Sequence, residues 1–103
     1  MENRNFFEHN IEELDLDDME QVTGGKKKPY VRSLGKNVNV RKGPGTEYPV
    51  VAQLGYLDEV PVISSKIVRD KHGYFWAKIT TGISQNEWVE GWVCSKYAEG
   101  CWN

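Results

Sequence analysis

From Tyr30 onward, apolar and polar residues alternate in short runs broken by turn residues. "YVRS" (Tyr30–Ser33) is long enough for a first strand. "NVNVR" (Asn37–Arg41) places Val38 and Val40 on one face, as a period of two requires. "KGPGTEYP" (Lys42–Pro49) is a loop built on Pro44-Gly45. "VVAQL" (Val50–Leu54) and "VPVIS" (Val60–Ser64) are further strands, with Val60 and Val62 together. "RDKHG" (Arg69–Gly73) reads as a hairpin tip. In "YFWAKIT" (Tyr74–Thr80), Phe75, Ala77 and Ile79 share one face, and Tyr74, Trp76 and Lys78 share the other. "TGISQNE" (Thr81–Glu87) reads as a longer tip, "WVEGWV" (Trp88–Val93) turns Val89, Gly91 and Val93 inward, and "SKYAEG" (Ser95–Gly100) suits a short helical turn. Five or six short strands at this spacing predict an all-β domain closed as a small, highly bent barrel.

The pattern before residue 26 is different. Ile11, Leu14, Leu16, Met19 and Val22 include steps of three, which are helical. Asp17 and Glu20 suit a capping box, and Gly24-Gly25 would stop the helix. Such short helices are marginal in water, so the segment is expected to be helical only when held, and otherwise disordered. Phe6-Phe7 is the only apolar pair ahead of these scattered residues.

Charge divides the chain at the same place. Residues 1–25 hold eight acids against one arginine, and residues 26–103 hold twelve Lys/Arg against seven acids. The 103 residues allow one small domain. No basic start followed by an apolar run marks a Sec-type signal, and no run approaches the ~20 apolar residues of a membrane span. The two cysteines, Cys94 and Cys101, lie seven apart near the C-terminus. They suit a disulfide clip in an oxidising compartment and free thiols in a reducing one. No Cys-x-x-Cys pair, HExxH, phosphate loop or carboxylate pair is present, and His72 on a tip is poorly placed to activate Cys94. The reading is therefore non-catalytic, without cofactor or metal. The basic residues are scattered and no aromatic RNA-binding motif accompanies them, so no nucleic-acid partner is expected.

Counting back from Gly25, apolar residues stand four, seven and twelve places before the cut that would follow it: Val22, Met19 and Leu14, with Asp18 beside Met19. With Gly24 and Gly25 in the last two places, this resembles the double-glycine leader of bacteriocin-type exported peptides. The resemblance implies that the peptidase domain of an ABC exporter grips residues 1–25 as a helix and cuts after Gly25. Two glycines fit a narrow protease cleft, and the apolar stripe supplies anchors. Residues 26–29 would then be a flexible basic arm, worth roughly 1 kcal/mol per charge near an anionic surface.

"NVNVRKGPGTEYPVV", "WAKI" and "EGWVCSKYA" resemble the bacterial SH3-like domain across nearly all of residues 30–98. Asn39-Val40-Arg41, Gly43-Pro44, Tyr48, Gly91-Trp92-Val93 and Ser95-Lys96-Tyr97 fill the characteristic places. The chain departs from the family at Cys94 and in the long Gly82–Glu87 connection. The resemblance implies a domain over 30–103, a small SH3-like barrel that binds cell-wall peptide or an anionic envelope polymer. Candidate ligand-binding residues are Tyr48, Trp76, Trp88, Trp92, Tyr97 and Arg41. Trp76 and Trp92 could floor an aromatic groove or serve as core on the barrel's second side. Trp88 could be an anchor particular to this protein or an ordinary cross-strand contact. Arg41 could grip a carboxylate, but more often such an arginine fixes the loop around Gly43-Pro44. Trp102 is a cap or an exposed anchor. The expected protein is a secreted, envelope-associated monomer made as a cytoplasmic precursor. The alternative is a bacteriocin-like or signalling product of the same exporter; an intracellular binder with an accidental Gly-Gly is a third reading.

Overall fold

The structure is a computed structural model that describes residues 5–9 and 29–102. Leu14, Met19, Val22, Gly24 and Gly25, on which the leader reading rests, and the arm at 26–28 lie outside those residues.

Among the described residues, seven antiparallel strands form one curled half-barrel: β1 (Pro29–Ser33), β2 (Val38–Arg41), β3 (Val50–Leu54), β4 (Glu59–Arg69), β5 (Phe75–Ser84), β6 (Glu87–Cys94) and β7 (Ala98–Trp102). Their order in the sheet is β3-β2-β6-β5-β4-β1-β7. The all-β, SH3-like expectation is therefore met, with more strands than the five or six expected. The alternation that suggested the strands is the alternation that buries them. Val38 and Val40 point inward from β2, Ala77 and Ile79 from β5, and Val93 from β6. A sheet this curved needs local irregularity, and β4 supplies it. Val62 pairs with Ile79, but the next pair is Ile67 with Ala77, so extra residues bulge out of β4 between them. The bulge shifts the inward set from Val60 and Val62 to Ile67. Residues 59–61 of β4 pair with β1, and β5 pairs with β4 on both sides of the bulge, at Val62 and at 67–69.

Outside the core, Arg32 ties three strands together. Glu59 on β4 and Glu99 on β7 lie directly across from it. Its guanidinium donates to Glu59 Oε2 and Glu99 Oε1, each at 2.9 Å. This half-exposed network fixes register more than it adds stability.

Three expectations are corrected. The segment 81–87 is not a long tip: β5 runs to Ser84 and β6 starts at Glu87, leaving a tight turn at Gln85-Asn86. The segment 95–100 is not one helical turn: the turn covers 95–97, and Ala98 begins β7. Cys94 and Cys101 form no disulfide. After the turn the chain leaves β6 for the far edge of the sheet, where β7 pairs with β1. Cys94 stays buried beside Trp76, and Cys101 faces Tyr30 across the β1–β7 ladder.

Phe6 and Phe7 also belong to the core. A 3-10 turn over Phe6–His9 packs on β7, and both rings join the buried cluster.

Candidate functional site

Two adjoining hollows open where the start of β5 meets the end of β6. One, of about 360 Å³, is lined by Asn37, Asn39, Arg41 and Thr46 on one side and by Trp76, Cys94 and Tyr97 on the other. The second, of about 490 Å³, is lined by Thr46, Asp70, His72, Tyr74, Lys96 and Tyr97, with Cys94 beneath. They share Thr46, Cys94 and Tyr97, and so make one continuous groove.

Trp76 is the floor. It is 1% exposed and lies outside the main apolar cluster, on the opposite side of β5 from Ala77 and Ile79. Its indole N–H donates to Asp70 Oδ2 at 2.8 Å. The other Asp70 oxygen accepts from the N–H groups of His72 (2.8 Å) and Tyr74 (3.0 Å), which shapes the tip between β4 and β5. Partial burial pushes the Asp70 carboxyl up, but the Trp76, Tyr74 and His72 hydrogen bonds outweigh that and hold it below its ordinary value.

The rim is aromatic and cationic. Lys96 Nζ lies 5.6 Å from the centre of the Tyr74 ring and 5.4 Å from that of Tyr97. The neighbouring Tyr74 and Tyr97 phenol groups raise its pKa, by charge attraction and, for Tyr97, by a hydrogen bond. The turn that presents Lys96 and Tyr97 is pinned to β5 by two bonds: Ser95 N–H donates to Phe75 O, and Phe75 N–H donates to Ser95 Oγ. Beneath them the Cys94 thiol is pushed up chiefly by burial, so it is a packing group and a poor nucleophile.

The opposite wall is set by Arg41. Its Nη1 donates to the carbonyls of Thr46 (3.1 Å) and Tyr48 (2.9 Å). Both bonds hold the loop between β2 and β3, the loop-fixing role weighed above. Tyr48 lays its ring against Gly43, where a Cβ would come within 2.5 Å of it. The Gly-Pro…Tyr spacing is thus a closed loop whose Thr46 borders the groove.

The candidate residues separate on this geometry. Trp76, Tyr97 and Arg41 line the groove, as floor, rim and wall. Tyr48 and Trp92 line neither hollow; Trp92 sits across from Arg41 and Lys78 in the ladders of β6. Trp88 is 68% exposed and lies over Gly82 at the far end of the β5–β6 hairpin. It is six residues along β6 from Cys94, roughly 20 Å at strand rise. Tyr74, Lys96, Asp70 and Thr46 are not among the binding candidates that the sequence offers, although Lys96 stands in the Ser95-Lys96-Tyr97 motif. Tyr74 shared the Trp76 face in the strand pattern, which was the one local signal for it.

The bacterial SH3 domain family matches residues 36–99, well over half of the chain. The chain belongs to the bacterial SH3 domain family. These domains are binding modules, commonly associated with the cell wall. The match spans β2 to the start of β7, so β1 and the docked turn at Phe6–His9 lie outside it. No curated protein and no solved structure matched the chain.

Proposed function

We propose that this bacterial SH3 domain is a non-catalytic receptor for a short cell-wall peptide, held in the groove between Thr46 and Tyr97. The observation that carries the reading is the rim, where one ammonium stands between two exposed tyrosine rings above a tryptophan floor. Lys96 offers a cation for a peptide carboxylate. Asn37, Asn39 and Thr46 offer hydrogen bonds to a peptide backbone. Tyr97 and Tyr74 offer rigid contact area at little entropic cost. A wall stem peptide carries these features, being short, amide-rich and acidic.

The same reading places the domain outside the producing cell. In this proposal residues 1–25 direct export by a peptidase-containing ABC exporter and are removed after Gly25. The Gly24-Gly25 pair, with Val22, Met19 and Leu14 at the leader spacing, supports it, as does the family's common association with the cell wall. Intact mass of the protein recovered from the producer's medium tests this step: a chain starting at Lys26 supports it, and only full-length protein within cells refutes it.

Binding is tested by sedimenting the full chain with purified peptidoglycan. Tyr97 is 50% exposed and Lys96 is exposed, so Tyr97→Ala and Lys96→Ala leave the fold intact. An aromatic anchor at a groove rim contributes about 1–2 kcal/mol, so Tyr97→Ala is expected to weaken binding roughly tenfold. Sedimentation of wild type and Tyr97→Ala to the same extent would refute the assignment of the groove.

A further inference from the structure

Residues 5–7 are built into the domain with more specificity than a chance contact needs. Phe6 is 0% exposed and Phe7 4%, with ring centres 4.7 Å apart. Asn5 Oδ1 accepts the Phe7 N–H at 3.1 Å, which starts the 3-10 turn. The same oxygen accepts the N–H of Gly100 at 2.8 Å. Gly100 lies on β7, an edge strand of the sheet, so Asn5 covers a backbone donor that the edge leaves available. Position 100 has no room for a side chain, since a Cβ there would run into the Phe6 ring. Backbone donor, missing side chain and apolar depth together make a socket for an Asn-Phe-Phe segment.

This segment is upstream of Gly24-Gly25, within the part that the export reading removes. We propose that the β7 edge is a peptide-binding site whose ligand is the Asn5–Phe7 segment of the chain itself, and that the segment stays bound in trans once the chain is cut after Gly25. The socket has the shape of a receptor: one polar anchor at Gly100 N–H and two buried aromatic rings. Charge works in the same direction, because residues 1–25 are acidic in sequence and the remainder is basic. That attraction is screened within about 8 Å at physiological salt, whereas the burial of Phe6 and Phe7 is not. Cutting would therefore not by itself free the domain from its N-terminal piece. Release would expose two aromatic-sized spaces beside β7, ready for another segment of the same kind.

The test uses the full chain with a site-specific protease sequence inserted between Gly25 and Lys26. After cutting, the sample is passed over a sizing column in 0.5 M NaCl. The 1–25 piece is expected to co-elute with the domain, and a labelled 1–25 peptide is expected to exchange into the complex. The same peptide with Phe6→Ala and Phe7→Ala is expected to exchange at least tenfold more weakly. Because the domain in the exchange is wild type, misfolding of a variant cannot produce the difference. Loss of the 1–25 piece at 0.5 M NaCl, or equal exchange of the two peptides, would overturn the proposal. The cut is engineered, so the result does not depend on whether an exporter cleaves at Gly25.

Discussion

Replacing Asp70 by Asn tests the link between the groove floor and the tip that borders it. In the native protein one carboxylate oxygen takes two backbone N–H groups, from His72 and Tyr74, and the other takes the indole N–H of Trp76. An amide has only one oxygen. Whichever way it turns, an NH2 faces a donor, and either Trp76 Nε1–H or the tip N–H pair loses its acceptor. Trp76 is 1% exposed, so its N–H has little access to water. An unsatisfied buried donor costs about 1–3 kcal/mol, and because the carboxylate is partly solvated and screened we take about 1.5 kcal/mol. In a domain of this size that lowers the melting temperature by roughly 6–12 °C. The effect should depend on pH. The folded pKa of Asp70 is held below its ordinary value of 3.8, so its stabilisation is fully present above that value and is lost as the pH falls through the folded pKa. Thermal unfolding from pH 7 to pH 2.5 should therefore show a constant gap between wild type and Asp70→Asn down to about pH 5, narrowing in acid as the wild type protonates. An equal gap at pH 2.5 and pH 7, or none at pH 7, would refute the reasoning.

Other substitutions probe the wall and the far end of the hairpin. Arg41→Ala removes two hydrogen bonds to the carbonyls of Thr46 and Tyr48 and should cost about 1 kcal/mol, with faster amide exchange confined to residues 42–49. Arg41→Lys should recover little of this, since an ammonium lacks the guanidinium's planar reach to both carbonyls; unchanged exchange in Arg41→Ala would show that the loop holds itself. Trp88→Ala should shift stability by less than about 0.5 kcal/mol and leave peptidoglycan sedimentation unchanged, because the ring is exposed and far from the groove. A loss of wall binding on that substitution would move the site to the β5–β6 hairpin.

The strands were legible along the chain because a half-buried strand repeats every two residues, and that period can be read locally. Val38 with Val40, Ala77 with Ile79 and Gly91 with Val93 each gave away an inward face. The tight loop was legible too, since Arg41, Gly43 and Tyr48 lie within eight residues: Arg41 bonds the Tyr48 carbonyl, and the Tyr48 ring packs on Gly43. Local spacing also suggested a division of labour at Gly25, from charge and from the placing of Leu14, Met19 and Val22. Tertiary structure decided which aromatics share a site. Trp76 and Trp88 look alike in the strand pattern, but the β5–β6 register sets Trp76 beside Cys94 and Trp88 beside Gly82. Tyr74, Lys96 and Thr46 meet only because three separate turns converge at one end of the sheet. The cysteines, near in sequence, are parted because β7 crosses to pair with β1. Phe6 and Phe7 carry no periodic signal at all. Phe6 packs on a glycine some ninety residues away at the sheet's edge, and such a contact exists only once β7 has taken its place beside β1.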